Sequence, residues 1–234
     1  MDLDSTKKSA YEMFNKISKI YDTLNTILSL GLHHQWRKSP LKWLEKDRPI
    51  CYLDLASGTG DQLFSILDKM PNIQKAYAVD PAVNMLEIAK KKSDKKIYHK
   101  KVDWVTATAD QLPFENETFD FSTMTFGLRN LHNMKNGIKE LYRVTKNSGQ
   151  VHIIEFGKPQ GLIKPFYFFY LKAILPLIGK IFSKHQFAYD YLKESIKNFE
   201  ENDKVTRLLF ETGFQSVYSE SLCFGIVNHF IAIR

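Results

Sequence analysis

Cysteine is scarce, with only Cys51 and Cys223 in 234 residues, and both fall inside apolar, strand-like segments. No disulfide framework is available, and a reducing cytosol suits such a chain best. A secretory leader is not in view: the chain opens MDLDSTKKSA, acidic and polar, with no apolar core ahead of a cleavage site. Nor is there an unbroken run of the ~20 apolar residues that a membrane-crossing helix needs. The nearest candidate, PQGLIKPFYFFYLKAILPLIGKIFS over 159–183, is interrupted by Pro165, Lys172, Pro176 and Lys180. The seven histidines are scattered, and the adjacent pair His33 and His34 lacks metal-site spacing, so no metal is expected. Basic residues outnumber acidic ones, 33 to 26, giving a net charge of +7. No aromatic-interleaved basic stripe accompanies them, so nucleic acid is not an expected partner. Repeats and low-complexity tracts are lacking too. A composition of 44% hydrophobic and 25% charged residues is ordinary for a folded domain, and one domain over 1–234 is expected.

What the chain does have is ICYLDLASGTGD, residues 50–61, a buried strand running into a glycine turn and then a helix. Ile50, Tyr52, Leu53 and Leu55 form the strand. Gly58 and Gly60 allow a tight turn and bare backbone for a ligand, and Leu63, Ile66, Leu67 and Met70 follow at helical spacing. Nicotinamide-dinucleotide binding calls for a third glycine where Leu63 stands, which argues against hydride transfer. An acidic residue does stand twenty positions past Gly60: Asp80, at a strand end in KAYAVDPAVNML, suited to ribose hydroxyls.

Further strands are expected at 75–80, 102–107, 119–125, 150–156, 214–222 and 224–233, with helices at 82–92, 134–145 and 201–212 between them. Alternation of this kind predicts an α/β fold. Its seven-stranded, mostly parallel sheet carries helices on both faces, and ligands bind beyond the carboxyl ends of the strands. The last two strands are joined too tightly for a helix and should form an antiparallel hairpin at the sheet edge. Residues 1–46 read as an N-terminal helical cap, with Gly31 ending one helix and LHHQWRKSPLKWL starting another. Residues 159–183 read as an apolar insertion, for which a lid over an apolar pocket, a membrane-touching surface and plain core all stay open. The run KKKSDKK at 90–96 reads as a solvated helix end favoured by the helix dipole, with anionic headgroups the alternative.

The short turn with its ribose-binding carboxylate resembles the class I S-adenosylmethionine-dependent methyltransferases, whose fold is Rossmann-like. Four stretches narrow this: MFNKISKIYDTLNTILSLGLHHQWRK (13–38), ATADQLPFENETFDFSTMTFGLRNLHN (107–133), ELYRVTKNSGQVHIIEFGKP (140–159) and YLKESIKNF (191–199). Together they resemble the ubiquinone/menaquinone C-methyltransferase family, with FGLRN at 126–130 the most telling run. The resemblance implies S-adenosylmethionine as methyl donor and a polyprenylated quinol as substrate, demethylmenaquinol going to menaquinol. The alternatives are 2-polyprenyl-6-methoxy-1,4-benzoquinol, both of these quinols, or another hydrophobic acceptor. It also implies a cytoplasmic protein in weak peripheral contact with the inner membrane surface, helped by its positive charge. A homo-oligomer stays open.

Carried over residue by residue, the resemblance puts Gly58, Thr59 and Gly60 at the methionine part of the cofactor and Asp80 on its ribose. It sets Thr108, Ala109 and Asp110 along the adenine and Thr125 beside the sulfonium; Asp110 reads equally as a helix N-cap. Arg129 is the expected stabiliser of a quinol oxygen, a permanently charged planar fork at a strand end. His33, with an ordinary pKa near 6.5, is the expected base, with Tyr21 and Asp22 the runners-up. Asn130 is expected to orient Arg129 or the substrate. Three stretches depart from the family's pattern: Ala56-Ser57 in the glycine turn, Lys146-Asn147-Ser148-Gly149, which still reads as a good turn before the fifth strand, and SKHQFAYDYL at 183–192.

Overall fold

A computed structural model describes residues 3–159, 161, 163–170, 173, 191–196, 199 and 202–234. Most of the expected lid and most of 183–192 lie outside them. Seven strands form one sheet: β1 (Ile50–Leu55), β2 (Ile73–Val79), β3 (Val102–Val105), β4 (Phe119–Thr125), β5 (Thr145–Phe156), β6 (Ser216–Leu222) and β7 (Val227–Ile233). Their order is β3-β2-β1-β4-β5-β7-β6, with β7 antiparallel to both of its neighbours. The expected hairpin therefore closes the sheet at the β6 edge.

β1 shows why the sheet buries both faces. Leu53 and Leu55 pack among α6 (Met134–Val144) and α8 (Asn202–Thr212), while Ile50 and Tyr52 pack among α4 (Asp61–Leu67) and α5 (Val83–Ser93). Successive side chains point to opposite faces, so a strand covered by helices on both sides is apolar at nearly every position. Each residue deleted from such a strand to alanine costs ~2–5 kcal/mol.

Three local features differ from the sequence reading. Residues 146–149 do not form a turn ahead of β5 but bulge within it: Phe119 pairs with Thr145 and Phe121 with Gln150. Ser148 takes φ +62°, and its N–H donates to the carbonyl of Arg234. Cys223 lies in the β6–β7 connection, at φ +47°, not in a strand. The helix expected from Leu32 runs only over α3 (His33–Trp36), because Pro40 follows and the chain tightens into a 3-10 turn at Ser39–Lys42.

The N-terminal cap comprises α1 (Leu3–Ile17), α2 (Tyr21–Leu28) and α3. Gly31, at φ +77°, ends the α2 region by donating its N–H to the Thr26 carbonyl. Met13 and Ile17 of α1 pack on Ala82 and Met85 at the start of α5, which lays the cap over the carboxyl ends of β1, β2 and β4. Leu24 packs with Tyr167, from α7 (Ile163–Phe169), and Ile196. Among the described residues, no helix is long and apolar enough to cross a membrane.

Candidate active site

Beneath the cap, the ends of β1, β2 and β4 enclose a small chamber of about 60 Å3. Its floor is the glycine turn, where the two glycines serve different ends. A Cβ on Gly60 would strike the Phe64 ring at 2.7 Å, whereas one on Gly58 would meet nothing within 4 Å, so Gly58 presents bare backbone at the edge of the chamber. Ala56 and Phe126, the residues after β1 and β4, both hold positive φ, +56° and +57°. Non-glycine residues adopt that conformation at a cost and concentrate at functional sites.

Asp80 faces this turn. One carboxylate oxygen accepts from Gly58 N–H and the other from Ala82 N–H, each at 2.8 Å. Burial pushes its pKa up to about 6 against the pull of those two donors. Asp54 braces the turn from below, accepting from the hydroxyls of Ser57 at 2.7 Å and Thr123 at 2.6 Å. Its pKa is likewise raised by burial to about 6. Ser57, a departure from the family pattern, thus has a structural partner.

Gly58, Asp80, Ala109, Thr125 and Asn130 border the small chamber together. Thr59, Gly60, Thr108 and Asp110 are not on its wall. The Thr59 hydroxyl donates to Asp22 at 2.5 Å, and the Thr108 carbonyl accepts from Gln111 N–H. Asp110 is not a helix N-cap: residues 109 and 110 form a turn with no helix after it. Its Oδ1 is buried without a partner among the described residues. An open Gly58, a buried carboxylate at Asp80 and an orphan acceptor at Asp110 fit the nucleoside that the resemblance implies.

Next to it lies a chamber of about 310 Å3 with overwhelmingly apolar walls. Phe14, Tyr21 and Phe126 border both chambers and so mark where they meet. Arg129 and Asn130, adjacent in the chain, part here, Arg129 to the large chamber and Asn130 to the small one. Both hang from the Phe126 carbonyl, which accepts from Arg129 Nη1 at 2.7 Å and from Asn130 Nδ2 at 3.0 Å. Arg129 is also paired with fully buried Glu155, Nη1 to Oε1 at 2.8 Å, and its Nε donates to Ser195. Its Nη2 takes no bond among the described residues.

His33 also borders the large chamber and is only 2% exposed. Its pKa is not the ordinary 6.5 but is lowered to about 4, by burial first and then by Arg37 and His34. Tyr21 stands between the chambers, while Asp22 faces the glycine turn, where it takes Thr59 and an ion pair from Lys92 at 2.6 Å. Asp22 is thereby committed to holding the cap.

Three residues here escaped the sequence reading. Lys92, in a run that looked like a solvated helix end, reaches Asp22, Asp61 at 3.0 Å and the Thr59 carbonyl at 3.0 Å, fastening cap to turn. Arg37 is 5% exposed, lies over the Phe126 ring and depresses the pKa of His33. Glu155, the partner of Arg129, was readable as an acid inside an apolar strand.

The sequence profile of the ubiE/COQ5 methyltransferase family matches residues 1–234. The chain is 36% identical over 234 residues to a demethylmenaquinone methyltransferase of Chlamydia caviae, covering 99% of this chain and 98% of that one. It is 35% identical over 231 residues to the mitochondrial 2-methoxy-6-polyprenyl-1,4-benzoquinol methylase of Caenorhabditis elegans, covering 97% of this chain and 81% of that one. Among solved structures, a SAM-dependent methyltransferase from Aquifex aeolicus matches with a TM-score of 0.61 at 21% identity, covering 84% of this chain and 88% of that chain. That likeness speaks to the fold alone, and it is the Rossmann-like methyltransferase fold.

Proposed function

This chain belongs to the ubiE/COQ5 methyltransferase family, and from that premise we propose that it carries the methyl group of S-adenosylmethionine to a ring carbon of demethylmenaquinol, giving menaquinol. The observation that supports this reading most is the pair of chambers meeting at Phe14, Tyr21 and Phe126. One is small, with a carboxylate and bare glycine backbone; the other is large and apolar, with one arginine and one neutral histidine at its wall. A second reading, methylation of 2-methoxy-6-polyprenyl-1,4-benzoquinol, is favoured by the relative of that name at 35% identity. We take residues 1–234 as one domain.

S-adenosylmethionine supplies an electrophilic methyl on a sulfonium. The chain positions the acceptor, and positioning alone accounts for much of the acceleration in displacements of this kind. Asp80 would accept from the ribose hydroxyls, Gly58 would follow the amino-acid part and Ala109 would border the adenine; Thr59 and Asp110, their neighbours in the chain, lie off the chamber wall. In the large chamber, Arg129 offers Nη2 to the ring oxygen as negative charge gathers there; such a donor is worth ~2.7–4 kcal/mol. His33 accepts the hydroxyl proton; once the methyl is on, the ring carbon sheds its hydrogen as a proton to water and the ring oxygen regains its own from His33, which restores the aromatic quinol. A base with a pKa near 4 is weak, so transfer to it advances only as the neighbouring carbon bonds to the methyl. Asn130, through the Phe126 carbonyl, holds Arg129 in register.

The prenyl tail leaves by the apolar walls. Leu30, Phe166, Phe169 and Phe224 are 62% exposed or more, a set of apolar side chains suited to weak contact with the inner leaflet of a cytoplasmic membrane. A homo-oligomer is compatible with this arrangement.

The test is to supply demethylmenaquinol and the methoxy-benzoquinol separately with methyl-labelled S-adenosylmethionine and to follow label by mass. Transfer to the first alone is the expected result. Transfer only to the second replaces the substrate, and transfer to neither overturns the reading.

A further inference from the structure

We propose that the large chamber discriminates the oxidation state of its ring, binding a quinol and rejecting the matching quinone, through His33 held by Ser29 in one tautomer with Asn25 beside it. This rests on the reading of that chamber as the quinol site. Asn25, Ser29 and His33 follow at four-residue steps and all border it, a polar stripe on walls that are otherwise almost wholly apolar.

The hydrogen bonds along the stripe leave one solution for the protons. The Ser29 hydroxyl has a single hydrogen, and the Asn25 backbone carbonyl, which can only accept, takes it at 2.7 Å. Ser29 Oγ also lies 2.7 Å from His33 Nδ1, so there the oxygen accepts and Nδ1 carries the proton. Neutral imidazole with its proton on Nδ1 has a bare lone pair on Nε2. That Nε2 is buried, in a residue 2% exposed, with no partner among the described residues. A buried acceptor left unmatched is unfavourable, and a ligand that donates to it relieves the cost.

A quinol oxygen brings a proton to Nε2. A quinone oxygen brings only lone pairs, which face another lone pair in a dry cavity. Protonating His33 would turn Nε2 into a donor and erase the distinction, but with its pKa lowered to about 4 the ring is neutral at neutral pH. Asn25 Nδ2, also buried and without a partner among the described residues, has N–H groups that suit an oxygen in either oxidation state. It therefore adds affinity without adding selectivity. Sites built to meet a hydroxyl reject analogues lacking it strongly, because their own polar groups are left unpaired.

The measurement is anaerobic titration with 1,4-naphthoquinol and with 1,4-naphthoquinone, each with S-adenosylhomocysteine present so that no methyl is transferred. The quinol is expected to bind at least ~tenfold tighter. His33→Phe should bring the two affinities together, and Asn25→Leu should weaken both equally. Ser29→Ala frees the imidazole to move its proton to Nε2, so quinone affinity should rise, a change that mere loss of packing does not produce. Equal affinities in the unaltered protein, or a ratio that survives His33→Phe, would overturn the proposal. If equal affinities accompany intact methyl transfer, only the redox discrimination fails; if neither ring binds, the assignment of the chamber fails with it.

Discussion

The small chamber takes its walls from strand ends and the turns that follow them, around 55–58, 80–81, 109 and 125–131, with Tyr11, Phe14 and Tyr21 of the cap closing over it. The large chamber draws on α1, α2 and α3 of the cap, the turn after β4, α7, the helical run at 191–196 and the β6–β7 connection. One is a property of the sheet. The other exists only where segments far apart in the chain are laid over that sheet. Strand ends are fixed by ladders of backbone hydrogen bonds, so the small chamber suits a ligand common to many enzymes, whereas the large one is free to vary with the acceptor.

The sharpest way to break this contrast is at Arg129, where the large chamber is tied to the sheet through Glu155. Arg129→Ala should slow methyl transfer at least ~tenfold, by loss of one oxyanion donor. It should also destabilise the protein by ~3–5 kcal/mol, because a carboxylate in β5 is left buried without its partner. Thermal unfolding with turnover separates the two effects. Arg129→Met combined with Glu155→Gln should recover most of the stability and none of the rate. Rate returning with stability would show that Arg129 only braces the fold.

Asp80→Ala addresses the other chamber. Losing a charged acceptor for hydroxyl donors costs ~1.5–3 kcal/mol, roughly ten- to a hundredfold in cofactor affinity by calorimetry. Quinol binding, measured separately, should hardly change. Equal losses at both chambers would show that the turn, not the carboxylate, is what the substitution damages.

A gentler probe of the same carboxylate is pH. Ribose hydroxyls donate to ionised Asp80, whose pKa without ligand is raised to about 6, so cofactor affinity is complete above that value and falls as pH drops through it. Between pH 7 and 5 the loss should be about tenfold, the change one pKa unit allows. Asp54 has a pKa raised to the same region and sits under the same turn. Asp80→Asn should therefore flatten the profile and Asp54→Asn leave it sloping; the reverse would move the titration to Asp54.

How much of this was legible in the sequence follows the same division. Gly58, Gly60 and Asp80 could be read because strand, turn and helix are written in consecutive residues, and a local pattern fixes local backbone. The boundaries of β4 were equally plain, since an apolar run stops at a glycine-containing turn. The pKa of His33 was not, because it is set by burial under the cap and by Arg37, neither of which is visible in its neighbours. Glu155 stands 26 positions from Arg129, and nothing in either segment says that they meet. The bulge at 146–149 looked like a turn because it has turn residues; pairing with β4 and with the C-terminal Arg234 drew it into the sheet.

The smallest expected effect lies where the cap is fastened to the glycine turn. Lys92 joins Asp22 of the cap to Asp61 and the Thr59 carbonyl of the turn, but side-chain exposures of 31%, 39% and 18% place these ions within reach of water. Pairs of that kind contribute ~0.2–1 kcal/mol, so Lys92→Met should change either affinity no more than about fivefold. The informative quantity is the coupling between the two ligands. With Lys92 in place, S-adenosylhomocysteine on the turn should steady the cap and tighten quinol binding, and by reciprocity the quinol should tighten the cofactor by the same factor. Lys92→Met should shrink that factor toward one while each ligand alone binds almost as before. An undiminished factor would mean that Phe14, Tyr21 and Phe126, which border both chambers, carry the coupling by packing alone.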